Sequence, residues 1–377
     1  MIYLDHNAST PLAPAAFERM LPLLRGGPGN PSSVHRAGQR ARQALDDARE
    51  ALALGLGCEP KELLFTSGGT EADNLALRGT VRPGARLVVT SVEHPAVLDT
   101  ARALARDGTE VVELPVDERG ALDWEAASRA IVPGCALVSA MWANNETGVV
   151  FPLERLGQLC RERGVPLHVD AVQAFGKVAI DLSRLPIDLL SVSAHKLGGP
   201  PGVGALFVRR GRALDPMQTG GLQERGRRGG TENVAGIAGF AAAAELALAQ
   251  LEETNAHVSR LEARLRERLL ATIPDVRVTA EGAPKLPHTL SLCFRGVEGE
   301  ALLMALDLAG VAASSGSACA SGSLEPSHVL AAMDVAPEWS RGALRLSFGP
   351  ENTVEEIDEV ARLLPPLVAS LRAHARR

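Results

Sequence analysis

Short apolar runs alternate with amphipathic segments along the first two-thirds of the chain. The runs have the length and β-branched composition of buried strands, and the segments between them have the apolar spacing of helices. Strands are predicted at residues 63–66, 86–91, 110–114, 136–142, 166–170, 188–193 and 203–209, and helices at about 95–107, 123–130, 152–163 and 171–176. Strand–helix alternation of this extent indicates right-handed βαβ units. The predicted class is therefore α/β, with a mostly parallel seven-stranded sheet flanked by helices.

The pattern changes in the last third of the chain. An Ala-rich helix is predicted from about Ala235 to Ile273, and strands predicted at 288–294 and 343–348 flank a helix at 299–309. This arrangement is typical of a smaller α+β domain. We predict an N-terminal arm over residues 1–14 that joins the small domain, a large domain over residues 15–255 and a small domain over residues 256–377.

Composition and charge argue against several classes of function. The chain has 377 residues, of which 46% are hydrophobic and 22% are charged, a balance typical of globular proteins. Its net charge of -6 argues against a basic face that binds nucleic acid. The chain starts without a signal-peptide pattern and has no apolar run of about 18 residues, so we predict a cytoplasmic protein that does not enter a membrane.

The five cysteines are odd in number and widely scattered. This pattern argues against a disulfide framework or a close-spaced zinc motif, and no metal site is predicted. Cys319 differs from the others because it lies in a Ser- and Gly-rich stretch, residues 312–326, whereas Cys293 lies in an apolar pattern. Most cysteines are small buried hydrophobes. A thiol in a Ser/Gly loop is better explained by its chemistry.

Three features match the groups that bind pyridoxal phosphate. Lys196 follows the predicted strand at 188–193, Asp170 ends the strand before it, and a Gly-rich turn at residues 67–70 opens a predicted helix. Ligands of open α/β sheets bind beyond the carboxyl ends of the strands. A lysine that forms a Schiff base, a carboxylate for the pyridine nitrogen and a helix N-terminus for the phosphate are the groups this cofactor requires. Their conjunction is far more specific than any one of them.

A series of sequence blocks resembles the group I cysteine desulfurases, the NifS/IscS-like branch of the class V aminotransferase family of fold type I pyridoxal phosphate enzymes. The blocks lie at residues 3–10, 30–35, 66–74, 93–98, 144–148, 168–173, 193–196, 223–225, 228–233, 315–328 and 344–347. They follow one another in the family's order over essentially the whole chain. The block around Cys319 does not resemble the shorter motif of group II enzymes.

The resemblance implies how the cofactor is held. Lys196 would form the Schiff base and later move the proton at the substrate Cα. Asp170 would hold the pyridine nitrogen, and His94 would stack on the ring and take a catalytic part as a proton relay. Gln173 and Asn145 would bond the phenolic oxygen of the ring.

The resemblance also implies groups for the phosphate and the substrate. The phosphate would be held by Gly69, Thr70, Ser193 and His195, together with Thr231 of the partner subunit in a homodimer. Arg345 would bind the substrate carboxylate as a bidentate fork, with Asn145 nearby.

The activity implied by the resemblance is conversion of L-cysteine to L-alanine. Cys319 would attack the substrate sulfur as a thiolate and become a persulfide. The persulfide would then pass its sulfur to an acceptor protein, either an iron–sulfur scaffold or a small sulfur carrier. The sequence leaves open which acceptor and which pathway this is.

Three other functional hypotheses make different demands on these residues. A class V aminotransferase would share Lys196, Asp170 and His94 but would have no use for Cys319. A non-catalytic scaffold would lack the lysine or the aspartate, and both are present. Selenocysteine lyase activity as a side reaction is a further hypothesis that the sequence leaves open, since a selenolate can leave without Cys319.

Overall fold

A computed structural model describes residues 1–27, 29–315 and 327–375. The helices are α1 (Pro14–Arg25), α2 (Arg36–Leu56), α3 (Gly69–Thr80), α4 (Pro95–Arg106), α5 (Trp124–Ala130), α6 (Leu153–Arg163), α7 (Val234–Ala249), α8 (Leu251–Thr272), α9 (Gly299–Leu308), α10 (His328–Ala332), α11 (Pro337–Ser340) and α12 (Val354–Ala375). The strands are β1 (Ile2–Tyr3), β2 (Leu63–Thr66), β3 (Arg86–Thr90), β4 (Glu110–Leu114), β5 (Cys135–Met141), β6 (Leu167–Asp170), β7 (Leu189–Ser193), β8 (Gly204–Val208), β9 (Val276–Val278), β10 (Thr289–Phe294), β11 (Val311–Ala312) and β12 (Ala343–Ser347).

The large sheet confirms the predicted fold class. Within the described residues it contains seven strands in the order β2-β8-β7-β6-β5-β3-β4. β8 runs antiparallel to β2 and β7, and the remaining neighbours are parallel. Asp170 at the end of β6 lies opposite Met141 on one side and Ser191 on the other. The carboxyl ends of these three strands therefore meet at one edge of the sheet.

Helices cover both faces of this sheet. Val88 of β3 belongs to one apolar core, which also contains Leu52 of α2 and Phe240 of α7. Its neighbour Leu87 belongs to a second core together with Leu75 of α3. Successive side chains of a strand point to opposite faces, so these cores lie on opposite sides of the sheet.

A smaller unit forms around a separate core. β10 pairs antiparallel with β12 and with β9, and α8, α9 and α12 bury apolar side chains against them. The N-terminal arm lies with this unit, because β1 pairs with β11 and Leu4 is fully buried in the same core. The predicted boundary between residues 255 and 256 falls inside α8, whose residue Val258 is already part of the small core. The domain limits themselves stay a prediction.

Three details of the sequence prediction are wrong. Residues 171–176 form turns rather than a helix, because the Asp170 carboxylate accepts the N–H of Val172 at 2.9 Å and redirects the chain. The helix predicted from Ala235 to Ile273 is two helices, α7 and α8, bent by 71°. The prediction has no counterpart for α1, α10, α11, β9 and β11.

Within the described residues, no single helix is long and apolar enough to cross a membrane, and only the bent pair of α7 and α8 reaches that length and apolarity jointly.

Candidate active site

The candidate active site lies where β6, β7 and α3 meet. β6 ends at Asp170, and β7 ends at Ser193 and continues into a 3-10 turn over Ala194–Lys196. Both strands are buried along their whole length. Their parallel register therefore fixes Asp170 and the lysine turn at the same edge of the sheet.

A phosphate-sized cradle opens at the start of α3. Gly68 precedes the helix with φ of 155°, and no side chain caps the first turn, so its N–H groups are available to an anion. A Cβ at Gly69 would come within 2.6 Å of Cγ2 of Val172. The Ser193 hydroxyl is buried and has no hydrogen-bond partner among the described residues. These groups fit a phosphate.

The other predicted phosphate residues lie near this cradle or at its surface. Thr70 follows Gly69 in the first turn of α3 and is exposed. His195 is half-buried, with Nδ1 3.4 Å from the Ser9 hydroxyl. Burial, and then the charge of Lys196, lower the pKa of His195 to about 4. The imidazole is therefore neutral at pH 7 and has one N–H to donate.

Asp170 is a buried carboxyl group, with 6% of the residue exposed. Burial raises its pKa, and the nearby His94 and Lys196 oppose that rise. An ionised Asp170 therefore requires a cationic partner in the site. A protonated pyridine nitrogen is such a partner, so this residue fits the cofactor.

His94 is the N-cap residue of α4. Its Nδ1 accepts the backbone N–H of Ala96 at 3.1 Å, which leaves Nε2 as the protonated nitrogen of a neutral ring. Burial lowers the pKa of His94, Lys196 adds to the effect, and Asp170 opposes it. The cap bond thus fixes both the position and the tautomer of the ring.

The N-terminal arm supplies backbone groups to the site. Lys196 Nζ donates to the carbonyl of Asn7 at 2.5 Å and to that of Ala8 at 2.9 Å. Gln173 Nε2 donates to the same carbonyl of Asn7 at 2.8 Å. Sequence reasoning assigned no role to Asn7, although it lies in the polar block that precedes Pro11.

Arg345 reaches the arm from β12. The residue is 2% exposed, and its guanidinium donates to the Asp5 carboxylate at 2.8 Å and to the carbonyl of Asn145 at 2.9 Å. Its Nε is buried without a partner among the described residues. Asn145 is half-buried and also accepts a bond from Asn7 Nδ2 at 3.1 Å. Arg345 therefore lies beside the residues that contact Lys196.

The long loop after β8 is anchored by ion pairs. Arg228 makes a bidentate ion pair with Glu71 in the first turn of α3, with N···O distances of 2.8 and 3.2 Å. The Glu224 carboxylate is buried against Arg49 at 2.9 and 2.7 Å. Thr231 itself lies at the exposed end of the loop, away from this buried pair.

The predicted nucleophile, Cys319, lies outside the described residues. Burial raises the pKa of the Cys58 and Cys160 thiols to about 12, and it raises the pKa of Cys293. A thiol must lose its proton to act as a nucleophile, so these three are poorly suited to that role. Over the described ranges, no group of three or more His, Cys, Asp or Glu side chains is arranged to hold a metal ion.

Comparison with known proteins assigns the chain to a family. Residues 2–360 match the model of the family described as Aminotransferase class-V. The chain therefore belongs to the class-V aminotransferases and depends on pyridoxal phosphate.

Similar proteins narrow the assignment to one branch. A cysteine desulfurase of Gluconacetobacter diazotrophicus is 48% identical over 376 residues, which cover 98% of this chain and 94% of the relative. A solved NifS-like protein superposes with a TM-score of 0.92 at 35% identity, covering 98% of this chain and 100% of that one. SspA, solved in complex with cysteine, superposes with a TM-score of 0.82 at 32% identity, covering 94% and 100%. The chain is a member of the cysteine desulfurase family.

Proposed function

We propose that this enzyme converts L-cysteine to L-alanine and transfers the substrate sulfur to Cys319. The observation that carries the proposal is the convergence of Lys196, Asp170 and His94 at one sheet edge, in a chain of the cysteine desulfurase family. Bound pyridoxal phosphate supplies an electron sink that makes the Cα proton of the amino acid acidic.

Residues of the sheet edge would hold the cofactor. Gly69, Thr70, Ser193 and His195 face the phosphate in this proposal, because the uncapped helix turn and the unpartnered hydroxyl are donors in need of an acceptor.

The ring would be held from three sides. Asp170 would bond the ring nitrogen, and His94 would cover the face of the ring with its plane fixed by the cap bond. Gln173 and Asn145 would bond the phenolic oxygen. Lys196 is the lysine that would bond the aldehyde carbon.

Lys196 and Arg345 would act on the substrate. Once Lys196 is released from the cofactor, its Nζ would take the proton from Cα of the substrate. The carbonyls of Asn7 and Ala8 would hold Nζ at the site. Arg345 would bind the substrate carboxylate. Its buried, unpartnered Nε is a donor for that purpose, and Asp5 orients the guanidinium from the other side.

Sulfur transfer would require the thiolate of Cys319. Its sulfur would form an S–S bond with the substrate sulfur, and the bond between that sulfur and the substrate Cβ would break. The electron pair of the broken bond would stay on carbon, which takes up a proton as alanine forms. The raised pKa values of Cys58, Cys160 and Cys293 and the burial of Cys135, whose Sγ donates to the carbonyl of Ala130 at 3.5 Å, together support Cys319 as the reacting thiol.

The active assembly in this proposal is a cytoplasmic homodimer that delivers sulfur to an acceptor protein. Thr231 of the partner subunit would complete the phosphate site. Two observations support this: Thr231 is exposed, and Leu222 on the same loop is 88% exposed although it is apolar. The acceptor would be an iron–sulfur scaffold or a small sulfur carrier.

Mass spectrometry after brief exposure to L-cysteine, without reductant, tests the proposal. We expect the Cys319 peptide to gain about 32 Da, the mass of one sulfur, while alanine forms. Cys319→Ala should lose the added mass, whereas the matched control Cys58→Ala should keep it. A cofactor-loaded enzyme whose Cys319→Ala variant turns over L-cysteine at the full rate would instead indicate an aminotransferase or a different lyase.

A further inference from the structure

Lysine is rare in this chain, and arginine supplies nearly all of its basic side chains. Of the 39 basic side chains, only Lys61, Lys177, Lys196 and Lys285 are lysines, and all others are arginines. Arginine stays charged at every physiological pH, whereas a buried lysine can lose its proton. Two of the four lysines, Lys177 and Lys196, line a single cavity.

The cavity has a volume of about 100 Å³. Its outer part is lined by exposed residues that include Pro11, Gln250 and Glu351, and its inner part by the buried His6, Lys177 and His288. Among the described residues, Lys196 is the one predicted cofactor residue that lines it. The cavity therefore adjoins the cofactor site but is a separate space.

Lys177 is a buried cation with donors left over. The residue is 6% exposed, and its Nζ donates to Gln173 Oε1 at 3.0 Å. An ammonium has three N–H groups, and this is its one hydrogen bond within the described residues, which also place no carboxylate at ion-pair distance. Burial, and then the charges of Lys196 and Arg345, lower the pKa of Lys177 to about 7. The group thus lacks both acceptors and a counter-charge.

Two buried imidazoles beside Lys177 each have one nitrogen without a partner. The Nδ1 atoms of His6 and His288 have no hydrogen-bond partner in the part of the chain that the structure describes. Burial, followed by the charge of Lys177, lowers the pKa of His6 to about 4 and places that of His288 well below its usual value. Both rings are neutral at pH 7; the N–H of His6 donates to the backbone of Tyr3, whereas the N–H of His288 is left to donate to a ligand.

Charged groups from every surrounding element leave the inner cavity positive. Lys177 and Lys196 line it, and the Arg345 guanidinium acts on Lys177 from β12. Two acidic groups oppose them: Glu351 lines the cavity near its opening, and Glu356 of α12 acts on His6. Ordered water could satisfy the unused donors, but it would not supply the missing negative charge.

We propose that the cavity binds a small inorganic anion, of the size of chloride, against the Lys177 ammonium and the N–H of the His288 imidazole. This site lies beyond the desulfurase reaction and does not depend on it. The anion neutralises a charge that the fold otherwise leaves buried and uncompensated.

Hydrogen bonds connect this site to the cofactor lysine. Lys177 donates to Oε1 of Gln173, so the amide must turn its Nε2 donor toward the carbonyl of Asn7, which also accepts from Lys196. An anion that keeps Lys177 protonated holds this arrangement in place. Anion binding is thereby linked to the orientation of Gln173 and to the charge near Lys196.

The test is NMR of the cofactor-loaded enzyme labelled with ε-¹³C lysine. With only four lysines in the chain, the signal of Lys177 can be assigned from a Lys177→Met sample. Chloride replaces gluconate, an anion too large for the cavity, at constant ionic strength. We expect the titration midpoint of Lys177 to rise by about one pH unit once chloride exceeds its dissociation constant about tenfold.

Lys61 and Lys285 are internal controls whose midpoints should not move. A Lys177 midpoint that is equal in chloride and gluconate would mean that the cavity holds water only, and would overturn the proposal. A shift shared with Lys61 would mean a general ionic effect and would also overturn it. As a second readout, chloride should change the pH dependence of the cofactor's visible absorbance in the Lys285→Met variant but not in Lys177→Met.

Discussion

Two clusters of buried ionisable groups act on the site, and one consists of acidic side chains whereas the other consists of basic ones. The acidic cluster contains Asp170, Glu93 and Asp73, and burial raises the pKa of each carboxyl, that of Glu93 to about 8. The basic cluster contains Lys177 and His6, whose pKa values burial lowers to about 7 and about 4. In both clusters the fold favours the neutral form until an opposite charge arrives.

The difference between the clusters explains what each can bind. Asp170 is the acidic group that also feels the positive charge of Lys196, so it is the carboxyl best placed to ionise beside a cationic ring nitrogen. Within the described residues Asp73 faces Asp170 and Glu93, and the imidazole 3.6 Å from it, that of His168, is neutral because burial lowers its pKa to about 3. In the basic cluster burial disfavours the charged form of Lys177, and a bound anion would favour it, so this cluster is suited to an anion.

The largest effect is expected for Asp170→Asn. The amide keeps an acceptor for the N–H of Val172 but cannot hold a proton on the ring nitrogen. We expect alanine formation to fall by at least about 10²-fold, as when a group that stabilises transition-state charge is removed. The rate of alanine release and the visible absorbance of the bound cofactor report the change.

Asp73→Asn is the matched control for that experiment. Burial raises the pKa of Asp73 well above its usual range, which favours the neutral form that an amide mimics. We expect this variant to keep most of its activity. If the two variants lost equal activity, the inference that Asp170 rather than Asp73 ionises beside the ring nitrogen would be wrong.

A smaller effect is expected for Lys177→Met in the basic cluster. Methionine fills the space but cannot donate to Gln173, so the amide loses one of the two bonds that orient it. A loss of one such bond corresponds to a decrease in kcat of roughly 2- to 10-fold. KM for L-cysteine should change little, because Lys177 acts through Gln173.

The pH profile separates this positioning role from a purely structural one. Below about pH 7 the Lys177 charge lowers the pKa of groups near Lys196, so its removal should move the cofactor's absorbance midpoint upward. Lys285→Met is the matched control, and Lys177→Gln should restore part of kcat by donating again. An unchanged midpoint together with a reduced melting temperature would indicate a structural role alone.

Of the acidic cluster, Asp170 could be predicted from the sequence as a site residue, whereas Asp73, Glu93 and the whole basic cluster could not. Asp170 and Lys196 each end a short buried run, and the parallel-sheet rule brings such ends together. Lys177 has no such local signal: it lies directly after the segment 171–176, which was predicted to be a helix and forms turns. Its neighbours His6 and His288 come from the arm and from the small unit, which are distant in sequence.

The role of the arm was missed for the same reason. The carbonyl of Asn7 accepts from Gln173 and Lys196, which lie more than 160 residues away along the chain. Backbone carbonyls carry no residue-type signature, so such contacts depend on the tertiary fold alone. The arm is held there by β1 pairing with β11 and by the bond from Arg345 to Asp5.

The smallest effect on rate is expected for Glu93→Gln, which tests whether the acidic cluster is neutral as described. Glu93 Oε1 accepts from the Met141 N–H at 2.8 Å, a bond that a glutamine oxygen can keep. Because burial raises the pKa of Glu93 from 4.5 to about 8, the folded state binds a proton that the unfolded state releases. The wild type should therefore lose stability as pH rises from about 4.5 to about 8, by a few kcal/mol at most.

Glu93→Gln should lose less stability over that pH interval, because the amide does not titrate. Urea unfolding at about pH 5 and about pH 8 measures the difference for the variant, for the wild type and for Glu50→Gln, an exposed matched control on α2. Glu50→Gln should follow the wild type. If Glu93→Gln followed it as well, Glu93 would not hold a proton in the folded state, and Asp170 would have a charged neighbour. Asp170 would then not be the one carboxyl of the acidic cluster that ionises, and the proposed difference between Asp170 and Glu93 would be wrong.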